Sequence, residues 1–130
     1  MIILDVEQGS EEWLAARAGI PTASCFDKII TSTGKASTSA DAYMNKLLGE
    51  WLMGGPEESF SSDWMQRGNE LEPEARAFYE FETETPVEQV GIVYLDDQKL
   101  VSCSPDGLTQ NGGIEIKCPS AGVHTSYLLS

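Results

Sequence analysis

Helix-spaced apolar residues fill the first two thirds of the chain, and short apolar runs that suit strands follow them. Ser10 is placed to cap a first helix holding Glu11, Glu12, Trp13, Leu14 and Arg17. The acids fall in its first turn, where the helix dipole favours them, and Gly19 closes it. Thr22 or Ser24 caps a second, short helix with Phe26, Ile29 and Ile30 as its apolar face. Residues 31–40 are rich in Thr, Ser and Ala and are expected to form a mobile polar loop. Asp41 caps a third helix, in which Met44, Leu47, Leu48, Trp51 and Leu52 recur at helical spacing and are assigned to the core. Gly54, Gly55 and Pro56 end it. A fourth helical region over residues 62–81 puts Trp64, Leu71, Ala75, Phe78 and Tyr79 on one broad face. Pro73 is expected to kink this helix or to start a new one, with Glu72 at the break.

Strand signals then take over. Residues 87–95 contain Val90, Ile92, Val93 and Tyr94. Asp96 and Asp97 turn the chain, residues 99–103 return, and residues 114–117 make a third strand. Helices first, then an antiparallel meander whose last strand carries acids, is an α/β layered pattern. Residues 120–130 read as the opening of another helix. A chain of 130 residues is expected to form one domain.

Composition narrows the class. No apolar run approaches a membrane span, and the first residues lack the basic and cleavage signals of a secretory leader. Three cysteines without CxxC spacing argue against a disulfide framework and a structural zinc site, so a reducing cytoplasm is expected. Cys25, Cys103 and Cys118 read as small core residues. The net charge of −13 opposes a nucleic-acid role on its face, because phosphate contacts draw on basic surfaces. The excess is uneven: residues 50–88 hold eleven acids and two bases, residues 1–49 six acids and four bases. A solvated acidic helix face accounts for most of the middle block. Gly34-Lys35 is not a phosphate loop, since no glycine stands five residues before Gly34 and Ile29-Ile30 looks helical.

The chemistry lies near the C-terminal end of the chain. Ser104-Pro105-Asp106-Gly107-Leu108 is followed by Glu115-Ile116-Lys117-Cys118-Pro119. On a strand, Glu115 and Lys117 point to one side while Ile114 and Ile116 point to the other. A hairpin or a short return from the turn brings Asp106 to the same spot. Two carboxylates with a free side suit Mg²⁺, and a neighbouring lysine can orient or deprotonate a water and steady developing negative charge. Read alone, the same residues also describe an ordinary turn followed by a half-buried strand.

Four blocks, in order, decide between those readings. They are Glu7-Gln8-Gly9-Ser10 with Trp13 and Arg17; Gly19-Ile20-Pro21-Thr22-Ala23-Ser24; Arg67 through Arg76 (RGNELEPEAR); and the two acidic segments just quoted. Together they resemble the lambda exonuclease / YqaJ viral recombinase family of the PD-(D/E)xK nucleases. The resemblance implies a restriction-endonuclease-like layered fold, with N-terminal helices and a central sheet that starts antiparallel. It implies a metal-dependent 5′→3′ double-strand DNA exonuclease of phage recombination type, in a bacterial host cytoplasm. By position, Asp106, Glu115 and Lys117 look catalytic. Asp106, Glu115, the Ile116 main-chain carbonyl and Glu72 look like the holders of Mg²⁺, with Mn²⁺ as an alternative. Arg17, Ser24 and Ser104 look like a 5′-phosphate pocket. The implied partners are double-stranded DNA ends, two further copies in a homotrimer of the complete form, and a single-strand annealing protein; no membrane is implied. His124 receives no role.

The family domain continues past the last block, so residues 1–130 are expected to be one incomplete nuclease domain that lacks the C-terminal part, either a fragment or a natural short form. Two rival readings remain. One keeps the fold as a restriction or repair endonuclease, against which Arg17 argues. The other is a catalytically silent acidic binding protein, against which the Asp106, Glu115 and Lys117 trio argues. An iron–sulphur relative is disfavoured by the cysteine count.

Overall fold

Ser10 starts helix α1 (Glu11–Arg17) as its residue type suggests: its side chain accepts a hydrogen bond from the Trp13 amide. Gly19 follows in a left-handed conformation (φ 75°), and a Cβ there would press on Trp51 and the Leu47 carbonyl. This computed structural model describes residues 1–56 and 63–130, and nothing of the Trp64 side chain. The expected helix start at Ser62 lies outside the described residues.

The chain divides into two compact units. The first comprises Met1–Ser59 and Gln89–Pro105, the second Phe60–Glu88 and Asp106–Ser130, each described outside residues 57–62.

In the first unit, strands β1 (Ile2–Leu4), β2 (Ile92–Tyr94) and β3 (Ser102–Cys103) form an antiparallel sheet in that order. β2 is central, and all three of its residues are buried. Ile2 faces Tyr94, Ile3 faces Val93 and Leu4 faces Ile92. β1 is absent from the reading above, because a three-residue run carries no periodicity and its partner lies some ninety residues on. A short 3₁₀ helix (Ala23–Lys28) stands where a second helix is expected. Thr22 holds its cap position without a side-chain bond. Residues 31–40 include a turn closed by Thr31 N to Lys35 O (2.8 Å), with Ser37 N on Ile29 O (2.9 Å).

Helix α2 (Ala40–Met53) departs from expectation twice. It starts after Ser39, not at Asp41, which lies in its first turn. Its buried residues are Tyr43 and Glu50. Met44, Leu48, Trp51 and Leu52, assigned to the core by spacing, are exposed, Trp51 to 68%. Glu50 is buried because it accepts from the Gly19 amide (3.2 Å) and pairs with Lys46 (3.7 Å). Helical spacing identifies a stripe but not which neighbour, if any, covers it. Gly54 ends the helix in the left-handed region, as its position predicts.

In the second unit, helix α3 (Asp63–Thr83) runs through Pro73 without restarting. Proline removes one main-chain donor, and a helix of 21 residues tolerates that loss. Strands β4 (Gly107–Thr109) and β5 (Gly112–Ile114) make a separate hairpin. The third strand expected over residues 114–117 therefore ends at Ile114, and the acids follow it in extended chain. Helix α4 (Ala121–Leu129) is capped by Ser120. Among the described residues no helix is long and apolar enough to cross a membrane.

Candidate active site

The hairpin positions the acids. Gly107 must be glycine, since a Cβ there would collide with the Val87 side chain. Asp106, just before it, is tied to the far side of the hairpin twice. Its amide donates to the Ile114 carbonyl (3.0 Å), and its Oδ2 accepts from the Ile116 amide. The turn thus returns Asp106 to the segment that carries Glu115 and Lys117. Those two side chains share a side, as alternation requires, and form an ion pair between Lys117 Nζ and Glu115 Oε1. Both are open to solvent, at 57% for Glu115 and 72% for Lys117, so the pair adds little stability and is free to exchange partners.

Glu72 reaches the same group from α3. Its carboxyl is pushed above its ordinary value, first by burial and then by the charge of Asp106; Arg76 pulls it back and Glu115 adds to the rise. Arg76, 8% exposed, pairs with Glu72 through Nη2 and donates from Nε to the Asp106 carbonyl (3.3 Å). Lys117 is held protonated: its hydrogen bond to Glu115 raises it most, against some desolvation, and Asp106 contributes.

Among the described residues no three His, Cys, Asp or Glu side chains form a ready metal cage. The donor set nevertheless fits a hydrated Mg²⁺ in kind. Its groups are hard carboxylate oxygens of Glu72, Asp106 and Glu115, all three exposed or half-exposed, and their mutual repulsion is what a dication would relieve. For Ile116, the group tied to the acids is its amide. A shallow groove lined by Pro86, Val87, Glu88, Leu108, Thr109 and Gln110 contains none of the candidate residues.

The other candidates stand in the first unit. The Arg17 guanidinium lies over the Trp13 ring, 4.0 Å from its centroid. Trp13 Nε1 donates to the Gly91 carbonyl (2.9 Å) and to Ser104 Oγ (3.2 Å), so one indole connects Arg17 with Ser104. Burial lowers the Arg17 pKa, while Cys25, Tyr43 and Glu50 oppose the shift. Arg17 Nε is buried with no hydrogen-bond partner among the described residues. Ser24 is exposed, shares a hydrogen bond with Thr22 Oγ1 (3.3 Å) and precedes Cys25. Gln8 donates to the carbonyls of Val90 and Pro105 (both 2.9 Å) and so fixes the loop that bears Ser104. The bridging contacts of Trp13 and the contacts of Gln8 and Arg76 escaped sequence reasoning, because most of their acceptors are main-chain carbonyls.

Residues 12–130 match the YqaJ-like viral recombinase domain, and the chain belongs to that family. Among solved structures it is similar to an alkaline exonuclease (LHK-Exo) from Laribacter hongkongensis, at 40% identity and a TM-score of 0.79. It is similar to LHK-Exo in complex with dAMP at 40% identity and a TM-score of 0.78. Each match covers 92% of this chain and 59% of the exonuclease chain. The mixed fold of helices and antiparallel strands expected from the sequence is therefore the exonuclease fold over that span. No curated protein sequence matches.

Proposed function

We propose that the chain carries the acidic and phosphate-binding parts of a metal-dependent exonuclease that degrades duplex DNA from its ends, 5′→3′, in phage-type recombination. The observation that carries this reading is the convergence of Asp106, Glu72 and the Glu115–Lys117 pair in a chain 40% identical to an alkaline exonuclease. The dAMP complex of that exonuclease supports a nucleotide ligand of the same class. Both compact units then belong to one nuclease domain. Three-subunit assembly and an annealing-protein partner belong to the same reading and rest on family membership.

Asp106, Glu115, the Ile116 carbonyl and Glu72 would hold Mg²⁺ or Mn²⁺. When bound, such an ion polarises the phosphoryl oxygen and acidifies a water. The protein's own groups supply the rest. The Ile116 amide fixes the Asp106 carboxylate in one orientation. Protonated Lys117 donates to charge that builds on the scissile phosphate. Arg17 presents unpaired donor capacity on a rigid indole, suited to a terminal phosphate dianion, and the Ser104 and Ser24 hydroxyls extend that cup.

The test is calorimetric titration with Mn²⁺ beside digestion of a 5′-phosphorylated linear duplex. Asp106→Ala should lose the metal-binding heat and any nucleotide release. Unchanged metal affinity in Asp106→Ala would overturn the assignment.

A further inference from the structure

We infer that Arg67 and Arg76 are positioning residues, two clamps by which helix α3 holds both ends of the acid-bearing segment through its main chain. The inference rests on the nuclease reading above and adds to it how the acids keep their places.

Within the segment from Asp106 to Cys118, Leu108 is paired with Glu88 through two main-chain hydrogen bonds (2.7 and 2.8 Å), while the two ends lie outside that pairing. The segment's strands are three residues each, shorter than an independently stable hairpin needs. It contains Gly107, Gly112 and Gly113, and its acids lie just outside the paired strands. Its two ends are where the arginines bind. Arg76 Nε donates to the Asp106 carbonyl (3.3 Å), and Arg67 Nη1 donates to the Cys118 carbonyl (3.2 Å). Nine residues of helix put the two arginines about 13 Å apart along the axis, with Glu72 between them. Arg76 also grips Glu72, one turn back, so one guanidinium ties an acid of the helix to the backbone of an acid of the hairpin.

The chemistry requires arginine. A planar guanidinium presents several donors in a fixed fork and serves a carboxylate and a carbonyl together. An ammonium at the same place balances the charge of Glu72 but does not hold two acceptors in one plane. An ordinary helix ion pair between Glu72 and Arg76 would be satisfied by lysine; a clamp would not.

The experiment compares wild type, Asp106→Ala, Arg76→Lys, Arg76→Gln and Arg67→Lys by Mn²⁺ calorimetry, with a thermal melt of each metal-free protein. At a matched melting temperature, Arg76→Lys should bind Mn²⁺ roughly 10–100-fold more weakly, the range seen when groups that orient metal ligands are removed. Arg76→Gln should be no better, and Arg67→Lys should lose less, because the Cys118 carbonyl it holds lies beyond the acids, whereas Arg76 holds Glu72 and the Asp106 carbonyl themselves. Wild-type affinity in folded Arg76→Lys would overturn the clamp and leave a simple charge pair. If Arg76 variants do not fold, Arg67→Lys decides: its position is exposed, and undiminished affinity there overturns the inference. The control separates the two readings. If Asp106→Ala binds as wild type, the metal site is wrong; if only Asp106→Ala loses binding, the site stands and the clamp falls.

Discussion

The two compact units are held together by different means. Every buried apolar residue of the described chain lies in the first: Tyr43, Val90, Ile92, Val93 and Tyr94. Around that core its polar side chains are anchored on carbonyls, Trp13 on Gly91, Tyr94 on Ala16 (2.9 Å), and Gln8 on Val90 and Pro105. In the second unit the described buried positions are Arg76 and Gly107, and Phe78, Phe81, Tyr127, Leu128 and Leu129 are exposed. What orders the acids there is charge and main-chain hydrogen bonding. The proposed phosphate cup is thus built against a packed sheet. The acidic hairpin is ordered by main-chain hydrogen bonds and by charged side chains, and a bound cation would add to that order.

The sharpest way to break this contrast is to delete core in each unit. Ile92 is fully buried, and Ile92→Ala should destabilise the protein by about 2–5 kcal/mol. Phe78, 65% exposed, should cost less than about 0.5 kcal/mol on replacement by Ala. Urea denaturation of both variants gives the comparison directly. Equal losses would mean that the second unit has a core of its own around Phe78, and that charge is not its main support.

A second test reads the proposed phosphate cup. Arg17→Ala should slow digestion of 5′-phosphorylated ends more than of 5′-hydroxyl ends. Loss of a charge-assisted contact is worth roughly 1.5–3 kcal/mol, or about 10–100-fold in rate. Equal slowing on both ends would assign Arg17 to packing against Trp13.

How much of this was legible in the sequence follows the distance over which each feature is encoded. The α1 cap and stop at Ser10 and Gly19 are local, and both stand as read. So is the shared side of Glu115 and Lys117, and the return of Asp106 to them needed only a hairpin. The sheet was harder. β1 finds its partner across most of the chain, and β5 stops before the acids because its pairing partner is only three residues long. The stripe on α2 was seen, but its burial was not, since Tyr43 and Glu50 are chosen by contacts to Thr22 and Gly19. The arginine clamps were invisible for a different reason. A main-chain carbonyl accepts a hydrogen bond whatever side chain follows it, so the acceptor leaves no residue-type signature.

The first unit should also respond to alkali. Burial raises the Tyr43 and Tyr94 hydroxyls and the Cys103 thiol above their ordinary values of 10.0, 10.0 and 9.0. For an acid raised in the folded state, the native protein keeps a proton that the unfolded chain gives up. The contribution is therefore whole below pH 9.0 and is lost as pH climbs through the folded values. Urea midpoints should be flat from pH 7 to about 8.5 and fall beyond it. Tyr94→Phe and Cys103→Ser should flatten the fall. A slope that survives these two changes and Tyr43→Phe would place the alkaline sensitivity elsewhere than in this core.

The smallest expected effect lies on α2. Met44 and Leu48 are 60% and 50% exposed, so they bury little apolar surface against the rest of the first unit. Each Gln replacement should shift stability by less than about 0.5 kcal/mol, as for surface positions generally. Gln has a helix propensity close to that of Met and Leu, so the helix itself is not weakened. Tyr43→Ala, one position from Met44, serves as the contrast, because Tyr43 is buried and its hydroxyl accepts from the Thr22 amide (3.3 Å). That change should cost about 3–5 kcal/mol, as for other buried aromatics cut to alanine. If Met44→Gln approaches the cost of Tyr43→Ala in a denaturant titration, the helix turns its spaced apolar stripe inward in solution. The contrast between a cored first unit and an exposed α2 stripe would then have to be redrawn.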